Sequence, residues 1–576
     1  MLTTNKFKYI AVFLAYSALA GLAYAPGISN TFVFDDVSQI LANPWLHTFS
    51  SLPIIFTSGV WDFLDFPPYG GIYYRPLMHV GFLVEYSLFG LNPVGYHVVS
   101  ILLHALNATL LYGLVWRLSQ AASPHTGSHE KLARYFWGAF FTGSVFLLHP
   151  VASETVYWIA TLPELLCAFF YLLTVHCFLT AETKWQHYGS VSVLFLLALL
   201  SKEIAVTIPA FLFVLTVLLL SPATDRFTFR FRRGWNATWH LWLLLGVYVG
   251  WRAWVLSPPG SLSPTENVDW GQWLLINLHT VVELSLENIQ TLLHLRPLSI
   301  FHPYTPSFPE FYTALTLFLI GAAAWAGYRV IRQRLALHPL AVTGMLFLLL
   351  PLLPALNFIQ LDYFVLSERY LYLPSLGWAI LLVLGVDSVL KRHPEKQWLK
   401  ILIGLGSVIW YISVILIVQQ RAEDWRDTPS LFQKAMGTYP HLPTPPVFLA
   451  FSECEIGRVE SCQQYFQRFC ELYRAGDPDI SQEMCLENPY FLLVLGRAML
   501  ASQQWSEAER MFDKLIQVKP LAVEAWWGRG EVRFQQGRVM GARDDWQQAL
   551  SLAPDHPRIL KSLSHLPAER TEATPP

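Results

Sequence analysis

Charge is scarce in this chain. Lys, Arg, Asp and Glu make up 14% of its 576 residues, 39 basic against 41 acidic, where soluble domains average about 25%. The net charge of −2 leaves no basic footprint of the kind a nucleic-acid partner needs. Nucleotide-phosphate loops are missing too: neither GxxxxGK(S/T) nor GxGxxG occurs. Cysteine is sparse, with six residues, and four of them crowd between positions 454 and 485.

What fills the chain is apolar: 53% hydrophobic residues, including 22 Trp, 25 Tyr and 38 Phe. Trp and Tyr collect at the headgroup level of bilayers. A crossing helix needs about 20 apolar residues. The candidates are 8–26, 95–118, 135–150, 157–180, 188–202, 203–221, 239–257, 311–329, 338–356, 370–390 and 399–419. Stretches 272–296 and 76–92 carry Glu and His, and read as interfacial or protein-buried helices.

Lys and Arg gather on the cytoplasmic side of membranes. With eleven crossings and a cytoplasmic N-terminus, every basic cluster falls inside: Lys6/Lys8, Arg117–Arg134, Arg226–Arg233, Arg329–Arg334 and Lys391–Lys400. The stretch "FVFDD" (Phe32 to Asp36) then faces outward, at the start of a first outer loop over 27–94. So does everything beyond 420. Ala23-Tyr24-Ala25 resembles a signal-peptidase site, but Pro26 disfavours cleavage, so residues 9–25 read as an anchor.

Composition changes near 420, where 421–444 reads as a polar, Pro-rich linker. Beyond it a 34-residue period appears: Gly496/Gly530, Ala508/Ala542, Phe512/Trp546 and Pro520/Pro554. That is the tetratricopeptide (TPR) period. A degenerate third pair is expected at 445–474 with its turn at Gly457, giving a repeat domain over 445–560 and a disordered tail over 561–576. Trp526, Trp527 and Arg529 sit on a first repeat helix, the one that lines a concave partner-binding face, although a Trp there serves core packing equally well. Cys454, Cys462, Cys470 and Cys485 predict two disulfides in an oxidising space. Three pairings exist, and a hairpin at Gly457 favours Cys454 with Cys462. A zinc site competes, without CxxC or His spacing to support it.

The polar residues at outer helix ends carry the chemistry. They include Asp35-Asp36, Tyr74 and Arg75, His97, His149, Glu154, Glu164, Lys202-Glu203 and Glu368-Arg369. Ionisable groups at membrane depth are costly and mark sites. Each has a plain reading as well. Arg75 alone could snorkel to the interface, Lys202-Glu203 could pair with each other, and His104 and Asn107 suit bonds to a neighbouring helix. Together, outward carboxylates with Arg and Lys near the headgroups suit a lipid-phosphate substrate. The cations hold the phosphate and a carboxylate deprotonates an incoming hydroxyl.

The segments "FVFDDVSQILANP", "YYRPL", "LFGLNPVGYHVVSILLHALNA", "HPVASETVYWIA", "LLALLSKEIAVTIPA" and "ERYLYLPS", followed by TPRs, resemble the transmembrane and TPR-repeat protein O-mannosyltransferases and their bacterial relatives. The order of these segments spans nearly the whole chain. The resemblance implies an all-α fold: a GT-C-type glycosyltransferase bundle over 1–420 with the TPR domain outside. It implies an inverting enzyme that moves a sugar from a polyprenyl-phosphate carrier to a hydroxyl, protein Ser/Thr by expectation, on the outer face. By it Asp35 is the general base and Asp36 shares the role or orients the acceptor. Arg369, Arg75 and Lys202 hold the carrier phosphate. Glu154, Glu164, His149, His97, Glu203, Glu368 and Tyr74 line the sugar or acceptor pocket.

Where relatives show a "GRADLL"-like element this chain reads "ATLPELL", so mannose is not a given. No metal site is expected from two adjacent carboxylates, while GT-C relatives with and without a divalent cation leave a cofactor open. A bacterial inner membrane with periplasmic TPRs is the expected location, since no KDEL-type signal occurs. The expected partners are the lipid-linked sugar, membrane lipid and an acceptor or other protein on the TPRs. Two other readings compete. One is a non-catalytic TPR scaffold for envelope assembly. The other is a transporter, against which the membrane part shows no internal symmetry.

Overall fold

The computed structural model describes residues 2–64, 73–121, 129–222, 224–256, 283–294, 296–303, 337–355, 366–476, 487–554 and 556–566. Every regular element among them is helical. The chain forms two compact units, Met1–Asp427 and Thr428–Pro576.

In the first unit the helices are α1 (Leu2–Tyr24), α2 (Leu52–Thr57), α3 (Pro76–Phe89), α4 (Pro93–Ala121), α5 (His129–Leu148), α6 (Ala152–Tyr157) and α7 (Leu162–Thr180). They continue with α8 (Val191–Ser201), α9 (Ile208–Leu215), α10 (Phe227–Val255), α11 (Pro339–Leu349), α12 (Leu352–Ala355), α13 (Tyr372–Arg392) and α14 (Gln397–Asp424). Pro76 and Pro339 open their helices, where a missing N–H costs nothing.

Six described helical stretches are long and apolar enough to cross a bilayer, beginning at Phe7, Pro93, Ile159, Glu203, Glu368 and Gln397. The protein is an integral membrane protein. Several expected crossings are short or interrupted helices here: 188–202 is π-helical before α8, and 203–221 joins a 3-10 turn, α9 and a π turn. Candidate 311–329 lies outside the described residues. Helix α14 exposes Ile401, Leu405, Val408, Ile412 and Leu416, an apolar surface suited to lipid tails.

α1 belongs to the core, packed on α4, α5 and α14. Its Tyr16 and Tyr24 are fully buried and donate to the carbonyls of Phe140 and Leu147. As expected, His104 and Asn107 bond across helices: His104 meets Tyr372 Oη at 2.7 Å and Asn107 donates to Leu165 O at 3.1 Å. The stretch 76–92 forms α3, a protein-buried helix against α4 and α8.

The second unit is a series of helix pairs. It holds α15 (Thr428–Thr438), α16 (Thr444–Glu455), α17 (Val459–Gly476), α18 (Pro489–Ala501) and α19 (Trp505–Val518). α20 (Val523–Gln535), α21 (Val539–Leu552) and α22 (Pro557–Ser564) complete it. Segment 421–444, read as a linker, thus carries the end of α14 and all of α15.

The repeat positions do the packing predicted for them. Ala508 and Ala542 are fully buried, and Phe512 and Trp546 fill the groove between paired helices. A Cβ at Gly496 would lie 3.0 Å from the Phe512 ring, and one at Gly530 would collide with the Trp546 indole. The turn of α16–α17 uses Gly457 at φ +80°. A Cys454–Cys462 disulfide spans that turn. Cys470 is disulfide-bonded as well, while Cys485 lies outside the described residues. Cys167 and Cys177 are free thiols.

Candidate functional site

The turn that presents the acidic pair is built by Asp36, not by Asp35. Asp36 is fully buried. Its Oδ2 accepts from Val33 N at 3.0 Å and its Oδ1 from Ala160 N at 2.6 Å. One carboxylate therefore ties the first loop to the segment between α6 and α7. Burial pushes this carboxyl well above the usual range, with Asp35 pushing the same way against the backbone hydrogen bonds. The tight turn forces Phe34 to φ +51°, an uncommon and costly conformation for a bulky residue. The Phe34 ring stacks on Trp158, with centroids 5.6 Å apart. Held this way, Asp35 points into a cavity.

That cavity has a volume of about 70 Å³ and opens to solvent. Asp35, Arg75, Glu164, Lys202 and Arg369 all line it. Five residues from five segments, up to 334 positions apart (35 to 369), meet there. Rings of Phe34, Trp61, Tyr73, Trp158 and Tyr370 complete the wall.

The cations are fixed from behind. Arg369 donates to Glu154 Oε1 at 3.0 Å, with Glu164 Oε1 at 4.0 Å from its Nε. Its guanidinium lies over Trp158 at 5.2 Å and Tyr370 at 5.1 Å. Lys202 pairs with Glu164, and its ammonium is 5.5 Å from the Tyr370 ring. Arg75 grips both oxygens of Glu203 through Nε, at 3.2 and 3.0 Å, and lies 4.5 Å over Tyr73. The neighbours Lys202 and Glu203 therefore do not pair with each other. Lys202 is extended (φ −159°, ψ 149°), so successive side chains point apart and each finds a partner on another segment. Arg75 does not snorkel but packs against protein. Burial pushes the Glu154 carboxyl up to about 7, against the pull of Arg369.

Several expected pocket residues lie elsewhere. Asp36 is off the cavity wall, because both its oxygens are spent on backbone N–H groups; it positions rather than contacts. Glu154 and Glu203 stand behind the wall as counter-ions. Glu368 is fully buried, accepting from Ser299 N at 2.6 Å and Arg421 at 2.9 Å. His149 contacts Leu292 O at 3.1 Å and accepts from Val151 N. His97 contacts Asn30 O at 3.2 Å. Tyr74 turns away, donating to Phe56 O at 2.9 Å, and its neighbour Tyr73 lines the cavity instead. Adjacent residues ahead of a helix face opposite ways, and the sequence "YYRPL" does not say which faces in.

The sequence reading missed Gln39 and the aromatic wall. Only the aromatic richness of the outer loop hinted at the latter. Among the described residues no group of three or more His, Cys, Asp or Glu could hold a metal ion.

In the second unit, Arg529 is committed internally. It donates to Asp513 Oδ1 at 2.7 Å and to both oxygens of Asp545, and lies 4.8 Å over Trp526. Trp527 Nε1 donates to Ser562 Oγ at 3.2 Å and Trp526 Nε1 to Pro520 O at 2.8 Å. These bonds knit the repeats together, and all three residues remain half-buried.

A tetratricopeptide-repeat family model matches residues 493–557. Human protein O-mannosyl-transferase TMTC4 is 26% identical over 471 residues, covering 74% of this chain and 62% of that protein. Protein O-mannosyl-transferase Tmtc3 of Drosophila melanogaster is 25% identical over 490 residues, 75% of this chain and 52% of that protein. Human protein O-mannosyl-transferase TMTC3 is 23% identical over 585 residues and covers 91% of this chain and 58% of its own length. The chain thus spans about half to three-fifths of the curated relatives it matches. With apolar helices long enough to cross a bilayer and a repeat segment after them, it is a distant relative of the transmembrane and TPR-repeat protein O-mannosyltransferases.

Proposed function

We propose that the chain is an inverting, GT-C-type glycosyltransferase that moves a sugar from a polyprenyl-phosphate carrier to a hydroxyl acceptor, protein Ser or Thr, on the non-cytoplasmic face. The observation that carries this reading is a single cavity walled by one loop carboxylate, Asp35, and three cations, Arg75, Lys202 and Arg369. The names of the relatives point the same way. Each cation pairs with a carboxylate, Arg75 with Glu203, Lys202 with Glu164 and Arg369 with Glu154, and an incoming phosphate would share these cations. The guanidinium forks suit its oxygens.

In the reaction, Asp35 takes the proton of the acceptor hydroxyl. The oxygen attacks the sugar C1 from the face opposite the phosphate. The C1–O bond breaks, its electron pair leaves with the polyprenyl phosphate, and a glycosidic bond of inverted configuration forms. Arg369, with Arg75 and Lys202, stabilises the charge growing on the leaving phosphate. Their counter-ions hold them in place beforehand, so little reorganisation is needed. The N-terminus is cytoplasmic, the TPR unit is outside in a bacterial inner membrane, and the repeats engage the acceptor or another protein.

Purified protein is to be assayed for transfer from a panel of polyprenyl-phosphate sugars, with Asp35→Asn beside wild type. Turnover lowered by about 10²–10⁴-fold in a folded, membrane-inserted variant supports the base role. Full activity in Asp35→Asn removes it. A folded wild type that turns over no donor, yet retains a stable partner through its TPRs, establishes the scaffold reading instead.

A further inference from the structure

Gln39 is a buried amide. It is 2% exposed, and neither its Nε2 nor its Oε1 has a hydrogen-bond partner among the described residues. It sits on a π turn, Val37–Leu41, directly after the acidic pair, and lines the cavity of Asp35. Trp158 shares the condition: 4% exposed, on the same cavity wall, with Nε1–H unpartnered. Buried polar groups are almost always satisfied, and an exception calls for an explanation. π turns themselves concentrate at functional sites.

We propose that Gln39, with the Trp158 indole N–H, recognises hydroxyls of the donor sugar ring and sets which hexose is accepted. This rests on the transfer reaction proposed above. The phosphate is served by the cations, whose charges a neutral amide does not add to. A sugar hydroxyl both donates and accepts, and the Gln39 amide offers one acceptor and two donors. The indole adds a further donor. The groups lie at the wall that holds Asp35, where the sugar C1 must be for attack. A site built to bond a hydroxyl at a fixed place rejects the epimer lacking it there, because its own buried groups are then left unpaired.

The test uses the full chain with polyprenyl-phosphate mannose and its glucose and galactose counterparts. kcat/KM for each donor and Tm without donor are measured for wild type, Gln39→Leu, Gln39→Asn and Trp158→Phe. Wild type is expected to prefer one epimer. Gln39→Leu is expected to lower kcat/KM for that donor by about 10- to 100-fold and to flatten the preference. Its Tm is expected to be unchanged or raised, since an apolar side chain removes an unsatisfied buried amide. Gln39→Asn keeps the amide one methylene short and is expected to fall between, with Tm intact. Unaltered donor preference in Gln39→Leu overturns the assignment, as does a Tm loss in both Gln39 variants, which marks the amide as a packing group. Wild type that turns over no epimer overturns the transfer reaction itself, and the role of Gln39 with it.

Discussion

Two clusters of ion pairs, one in each unit of this protein, differ in what they do. In the membrane unit, Lys202 and Glu164 are 4% and 5% exposed. In the repeat unit, Arg538 and Glu509 are 49% and 17% exposed. Removing charges from water costs several kcal/mol per ion, which a pair recovers only with good geometry. A half-exposed pair costs little and yields little. The Arg538–Glu509 pair therefore reads as helix-to-helix stitching, one element of stability among many. The cavity network is costly, which argues for a ligand rather than for stability.

The comparison can be broken most directly by removing one partner from each cluster. Glu164→Gln strands a buried ammonium, and about 3–5 kcal/mol of stability is expected to disappear, read from denaturant unfolding in detergent. Arg538→Ala is expected to cost less than about 1 kcal/mol by the same measurement. Equal losses would mean that burial does not separate the clusters. A smaller effect tests the repeat unit alone. Cys454→Ser with Cys462→Ser opens a short loop and is expected to cost about 2.5 kcal/mol by loop-closure entropy, seen as a lowered unfolding midpoint against wild type under non-reducing conditions. A comparable loss, about 1–3 kcal/mol, is expected for Gly530→Val, whose side chain collides with Trp546, read as weakened hydrogen-exchange protection over α20 and α21.

The smallest effect is in pH. Burial pushes the Glu509 carboxyl up, but hydrogen bonds from Arg538 and Arg533 outweigh it and hold the group below its ordinary value of 4.5. A depressed carboxyl contributes stability above its unfolded value and loses it as pH falls through the folded one. The repeat unit is therefore expected to weaken below pH 4.5, and Glu509→Gln to blunt that acid loss, in urea midpoints taken across the range. An unchanged pH profile in the variant would show that Glu509 does not contribute to it.

The repeats were the most legible part of the chain. A 34-residue period states directly which small residue meets which ring, and Gly530 under Trp546 is that statement in three dimensions. Membrane helices were legible as apolar runs, but their breaks at 186–190 and 216–220 were not, because π turns leave no hydropathy trace. Of the candidate site, Asp35, Arg75, Glu164, Lys202 and Arg369 were legible only within a larger pool of polar residues at helix ends. Which of two neighbours faces the cavity was not legible. Asp35 over Asp36 and Tyr73 over Tyr74 depend on backbone direction at a turn. Gln39 gave no sign at all, since an amide is conspicuous only when its surroundings fail to satisfy it.

The amino-acid sequence alone determined the helical class, the membrane part, the repeat register and the pool of groups available for chemistry. These follow from periodicity, apolar length and charge, all of which are local properties of the chain. Tertiary structure alone decided which carboxylates became counter-ions, which became anchors, and which reached the wall of a cavity. That choice is made by burial and by partners hundreds of residues away, as when Glu154 meets Arg369 and Asp36 reaches Ala160. No local pattern encodes those distances.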